Sequence, residues 1–235
     1  ARTLVLHVKN DDHADMKMRT INPTTDAYDY DVKFLPFLND EGGNVSYGLR
    51  LDTEPKAPVT IRPNITLDHA EQILYPPVLI ADPLQFVLDA SNWSVTQRVT
   101  IRSIPDDVDN AMERFQIVHT IDTEDAVFLA KSTAKPLLVV VDLIDDDTAG
   151  IVLNPASVVL NVDEGGDEAE FAFVGLTSAP LHPVSLFVEV QSNLIKVVSI
   201  NSIVVSTSSW QNLNVPIKLR ALLGAPDGTN IVRLR

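Results

Sequence analysis

Acidic residues in this chain gather in clusters. Glu41 precedes a Gly42-Gly43 step. Asp106 and Asp107 follow an alternating apolar run, with Asp109, Asn110 and Glu113 close behind, and Asp145, Asp146 and Asp147 end another such run. Each cluster lies at a strand end or loop, where side chains from separate stretches can converge at one pole of a sheet structure. Carboxylates gathered in this way suit a hard cation, because calcium takes oxygen ligands from adaptable loops. Three adjacent aspartates repel one another unless a cation or solvent screens them. If the strand ran on, Asp145 and Asp147 would share one face and Asp146 the other; a loop relaxes that limit. The bland alternative is a solvated, negatively charged end of a sandwich. The spacing is not that of a helix-loop-helix calcium site.

Other chemistries find little support. The chain has 235 residues and no cysteine, which excludes disulfides, thiolate zinc sites and thiol catalysis. The histidines (His7, His13, His69, His119, His182) show no metal-ligand spacing. There is no nucleophile elbow and no glycine-rich phosphate loop, and no nucleophile stands beside a base. Paired carboxylates can hydrolyse glycosides, but these recur with an internal repeat, which a single active site does not need. A net charge of −14, from 32 acidic and 18 basic residues, argues against nucleic acid and against anionic membranes. No signal peptide is visible. The longest apolar run, Pro136 to Val141, is strand-sized, so this segment is not expected to insert into a membrane.

The elements that must position the carboxylates are strands. Hydrophobic residues make up 45% of the chain, enough for a core, and they alternate with period two. Val99, Ile101 and Ser103 share one face; Phe115, Ile117, His119 and Ile121 share another. Phe171 with Phe173, and Val184, Leu186, Val188 and Val190, repeat the pattern. Leu137 to Leu143 is apolar on both faces, and Val197 to Val205 reads as two strands. The only helical turn expected is at Leu67 to Gln72. Turn signals at Asn22-Pro23, Gly42-Gly43, Pro76-Pro77, Asn154-Pro155, Gly165-Gly166 and Pro226-Asp227-Gly228 separate the runs. Many short strands between such turns predict all-β, tandem antiparallel β-sandwich modules of immunoglobulin-like type.

Two copies of one series of landmarks set the boundaries. Asn10-Asp11-Asp12-His13-Ala14 returns as Asp145-Asp146-Asp147-Thr148-Ala149, Asp40-Glu41-Gly42-Gly43 as Asp163-Glu164-Gly165-Gly166, Trp93 as Trp210, and Pro105-Asp106 as Pro226-Asp227. Residues 1–15 read as the C-terminal end of a preceding module. Residues 16–150 read as a complete module, and 151–235 as a second one lacking its final acidic strand end. The first copy is longer before its Gly-Gly step, which places an insertion near Thr24 to Asp40. Its Tyr28, Tyr30, Phe34 and Phe37 are expected to pack on the sandwich. The link through Asp147-Thr148-Ala149-Gly150-Ile151 is short and leaves little slack. Trp93 and Trp210 are expected in core packing.

The series Glu41-Gly42-Gly43, Asp106-Asp107, Glu113-Arg114-Phe115 and Asp145-Asp146-Asp147 resembles that of Calx-β modules over nearly the whole chain. The resemblance implies β-sandwiches with calcium at one end. It implies Glu41, Asp106, Asp107, Glu113, Asp145, Asp146 and Asp147 as ligands, and Glu164 and Asp227 as parts of a second, incomplete site. Asn110 stands where calcium-binding members carry an acidic residue. The mid-module aspartate of such members has no placed counterpart, with Asp68 and Asp82 as substitutes.

The resulting expectation is a non-enzymatic structural or adhesive segment of a long extracellular or cell-surface repeat array, stiffened by Ca2+ at module ends. Its partners would be neighbouring repeats, other copies or surface proteins in a fibre or adhesion assembly. The alternative is a pair of regulatory calcium-sensor modules in the cytosolic portion of a membrane transporter-type protein. Asn44, Asn64 and Asn92 head N-glycosylation triplets.

Overall fold

The computed structural model describes residues 14–21, 28–30, 34–40, 42–67, 78–134, 136–155, 160–224, 228 and 231–234. The chain divides into two units. One comprises 1–106 and 110–146, the other 107–109 and 147–235.

The first unit contains β1 (Met16–Ile21), β2 (Tyr28–Tyr30), β3 (Leu38–Asn39), β4 (Asn44–Leu51), β5 (Val59–Leu67), β6 (Val78–Asp82), β7 (Phe86–Leu88), β8 (Gln97–Ile104), β9 (Glu113–Thr123), α1 (Ala126–Ala134) and β10 (Leu137–Ile144). Its sheets run β2-β1-β4-β8-β6 and β3-β10-β9-β5-β7. All neighbours are antiparallel except β3, which runs parallel to β10. The period-two pattern sends one set of residues inward. Tyr47 and Leu49 of β4 and Val99 and Ile101 of β8 are buried with Ile61, Ile117 and Val141 of the facing sheet. Burying each large apolar side chain contributes about 1.5–3 kcal/mol.

The second unit contains β11 (Ile151–Asn154), β12 (Ala169–Leu176), β13 (Val184–Val190), β14 (Ile195–Val197), β15 (Ser202–Val205), β16 (Val215–Ala221) and β17 (Val232–Leu234). Its sheets run β11-β12-β16-β14 and β15-β13-β17. Phe171, Phe173, Ile217 and Leu219 pack against Leu186, Ile203 and Val205. The break expected in Val197 to Val205 falls between β14 and β15, which lie in different sheets. One kind of backbone bond occurs in both units. Leu51 N–H donates to Trp93 O at 2.9 Å, and Leu176 N–H donates to Trp210 O at 2.9 Å. Each indole packs, partly buried, on the core of its own unit.

Two expectations need correction. The helix lies at 126–134, whereas Leu67 closes β5 and 68–72 fall outside the described residues. Asp125 caps this helix: its Oδ1 accepts from Val127 N–H at 2.9 Å, and its Oδ2 accepts from Lys56 N–H at 2.7 Å. Only Phe128 of the helix is buried, so no apolar stripe marked it in the sequence. Among the described apolar residues of the 24–40 segment, Leu35 and Leu38 are buried, while Phe34 and Phe37 are 63% and 66% exposed. The backbone decides this: Leu35 N–H donates to Val140 O at 2.8 Å, and Leu38 pairs with Leu143. Tyr28 and Tyr30 pair in β2 with β1.

No described helix is long and apolar enough to cross a membrane.

Candidate metal centre

The site begins with a register. Parallel pairing sets Leu38 beside Leu143 and Asn39 beside Ile144, and Asp40 N–H then donates to Ile144 O at 3.1 Å. One step past both strands, Asp40 and Asp145 arrive side by side. β10 ends at Ile144, so Asp145 and Asp146 leave the strand and are not held to opposite faces.

Carboxylate oxygens of Asp40, Asp145 and Asp146 lie within 4.8 Å of one another. Asp40 is 1% exposed, and its Oδ1 is buried without a hydrogen-bond partner. Burial pushes the Asp40 carboxyl up to about 7; a hydrogen bond shared with the Asp146 carboxyl and the charges of Asp145 and Asp146 add to this. A bond accepted from the Asp146 backbone N–H acts the other way. Asp145 is itself oriented, because its Oδ2 accepts from Asn110 N–H.

The turn that carries Asp40 requires its glycines. Gly42 has φ +79°, and a Cβ on Gly43 would stand 2.5 Å from the Asn39 carbonyl oxygen.

Of the residues implied as ligands, Asp145 and Asp146 are brought together, and the third member of the trio is Asp40. Glu41 lies outside the described residues. Asp106, half-buried after β8, and Glu113, which opens β9 opposite Leu143, are not in the trio. Asp107 and Asp147 belong to the second unit. There Asp109 Oδ2 accepts from Ala149 N–H at 2.7 Å. Asp142 is bound to Arg114 at 2.7 Å, and that guanidinium holds its carboxyl below the usual range.

In the second unit Glu164 is exposed and its Oε1 accepts from Gly224 N–H; Asp227 lies outside the described residues, as does Asp68. Asp82 closes β6 and is exposed. Asp40 is not among the residues that the resemblance implies as ligands. Its signal was present in the acidic residue before the Glu-Gly-Gly step, repeated as Asp163.

The glycosylation triplets differ in use. Asn44 is exposed at the start of β4. Asn64 Nδ2 donates to Thr120 Oγ1 at 3.0 Å. Asn92 is committed to its turn: Nδ2 donates to Val87 O at 3.0 Å, and Oδ1 accepts from Asp89 N–H at 2.7 Å.

No family model matches the sequence, and no curated protein matches it. Solved structures do overlap the chain. CBD12 from CALX1.2 is 16% identical over 85% of this chain and 76% of that one, with a TM-score of 0.33. The calcium-binding domain CBD12 of CALX1.1 is 18% identical over 82% and 76%, with a TM-score of 0.32. The PapD-like domain 7 of human CEP192 is 9% identical over 63% and 99%, with a TM-score of 0.33. Overlaps of this size assign neither ligand nor partner to this chain.

Proposed function

We propose that the first unit binds a divalent cation, best matched by calcium, at Asp40, Asp145 and Asp146, as part of a non-enzymatic structural segment. One observation carries the reading: three carboxylates each place an oxygen within 4.8 Å of the others, and one of them belongs to a buried aspartate with an unpartnered oxygen. Leaving such an oxygen unmet in a protein interior costs about 1–3 kcal/mol, and more when it is charged. A proton relieves that cost only partly, whereas a cation meets all three charges together. Calcium suits an oxygen-only donor set on loops and tolerates irregular geometry better than magnesium. Coordination would be completed by backbone carbonyls, water and neighbouring acidic residues.

Nothing in the site supplies a nucleophile with a base, so the role is binding. Filling the site ties together the ends of β3 and β10 and stiffens that end of the unit. In the structural reading this serves a repeat array outside the cell, where partners are adjoining repeats or other surface proteins. The test is calorimetric calcium titration of the whole chain, with thermal melts in calcium and in chelator. A saturable heat and a rise in melting temperature are expected. No heat together with no melting shift would remove the cation and leave a plain structural module.

A further inference from the structure

Ser103 lies on the inward face of β8 in line with Val99 and Ile101, and is 5% exposed. An aliphatic residue is the ordinary occupant of such a position. Its backbone N–H and its hydroxyl both serve one turn. The backbone N–H donates to Gly43 O at 3.1 Å, and the hydroxyl donates to Asn39 O at 2.7 Å, with Gly43 O also within 3.3 Å. These two carbonyls bracket the segment that begins with Asp40. From the other side Asp40 N–H is held by Ile144 O at 3.1 Å, and the turn closes on itself through Gly43 N–H to Asn39 O at 3.1 Å. The Asn39–Asp40 peptide that leads into the buried carboxylate is therefore held at its oxygen by Ser103 of β8 and at its N–H by Ile144 of β10.

We propose that Ser103 is a positioning residue of the cation site. Its hydroxyl fixes the Asn39 carbonyl, and this sets the direction in which Asp40 presents its carboxylate to Asp145 and Asp146. The inference rests on the cation reading above. A residue that only fills space here would be replaceable by alanine with no change in ion binding. A residue that aims a ligand would not.

The experiment is calcium titration by calorimetry on the whole chain carrying Ser103→Ala, Ser103→Thr or Ser46→Ala. Ser46 is a matched control, because its hydroxyl pairs with Thr100 Oγ1 at 2.9 Å between β4 and β8, outside the turn. Ser103→Ala is expected to bind calcium about tenfold more weakly than wild type. Ser103→Thr, which keeps the hydroxyl, restores most of that affinity, and Ser46→Ala binds as wild type does. In an Asp40→Asn background, Ser103→Ala adds no further loss, because the ligand it aims is already gone. Unchanged affinity in Ser103→Ala overturns the positioning role and leaves the cation reading standing. So does an equal loss in Ser103→Ala and Ser103→Thr, or in Ser103→Ala and Ser46→Ala. A wild-type chain that takes up no calcium overturns both.

Discussion

Asp40 and His119 are the two buried titratable residues whose behaviour is most specific, and their signs are opposite. Asp40 is pushed from 3.8 up to about 7, so the folded chain holds a proton that the unfolded chain has released. Its contribution to stability is present at low pH and is lost as pH rises toward 7. Asp40→Asn, which needs no proton, is therefore expected to raise the melting temperature in chelator at pH 8 while weakening calcium binding. A variant that melts lower in chelator and binds calcium normally would show that Asp40 is not a strained ligand. His119 runs the other way. It is 3% exposed, its Nε2 is 2.7 Å from Tyr47 Oη and its Nδ1 is 3.0 Å from Leu137 O. This arrangement suits a neutral ring that donates to Leu137 O and accepts from Tyr47. Burial lowers its pKa from 6.5 to about 4. Stability from this residue is complete above pH 6.5 and declines as pH falls toward 4, by about 3 kcal/mol in all. Urea unfolding with calcium present, at pH 7 and pH 5, should show this slope. The slope should flatten in the double variant Tyr47→Phe with His119→Leu, which removes both polar partners together.

At the scale of elements, β3 is the shortest strand that matters. It contributes Leu38 and Asn39 only, yet its parallel register with β10 determines which carboxylates meet. Gly43→Ala forces a Cβ into the Asn39 carbonyl and should shift the turn. A lower melting temperature and weaker calcium binding are expected together, and a normal calcium affinity would show that the turn tolerates the shift. Helix α1 depends on its cap instead of its faces. Asp125→Ala removes acceptors for Val127 and Lys56 and should cost about 1–2 kcal/mol in urea unfolding. The strands were legible because alternating apolar residues such as Val99 and Ile101 have one buried solution. The helix was not, because Phe128 alone cannot make a period. Ser103 stood on the apolar face in the sequence, but only its bonds to Asn39 and Gly43 explain why it is polar.

For the whole molecule, the order β1-β4-β8-β6 in one unit parallels β11-β12-β16-β14 in the other, and each carries a tryptophan anchor, but among the described residues their acidic ends differ. The first gathers Asp40, Asp145 and Asp146; in the second, Glu164 is engaged with Gly224. Calcium is therefore expected to stabilise the first unit. At a free concentration one hundredfold above the dissociation constant the gain is about 2.7 kcal/mol. Differential scanning calorimetry should show it as an upward shift of the transition belonging to that unit. An equal shift of every transition would contradict a site confined to Asp40, Asp145 and Asp146.

Composition and period two determined by themselves that the chain is all-β, that it lacks thiol chemistry and that the Asp145-Asp146-Asp147 cluster ends an apolar run. Those are local properties, written in neighbouring residues. The partner of Asp145 and Asp146 was decided only by the tertiary structure. Asp40 reaches them through parallel pairing of two strands far apart in the sequence, and no local pattern encodes that register. The same distance separates Ser103 from the turn it braces. The sequence thus located carboxylates able to hold a cation, and the packing of β3 between β10 and the Ser103 brace selected which of them meet.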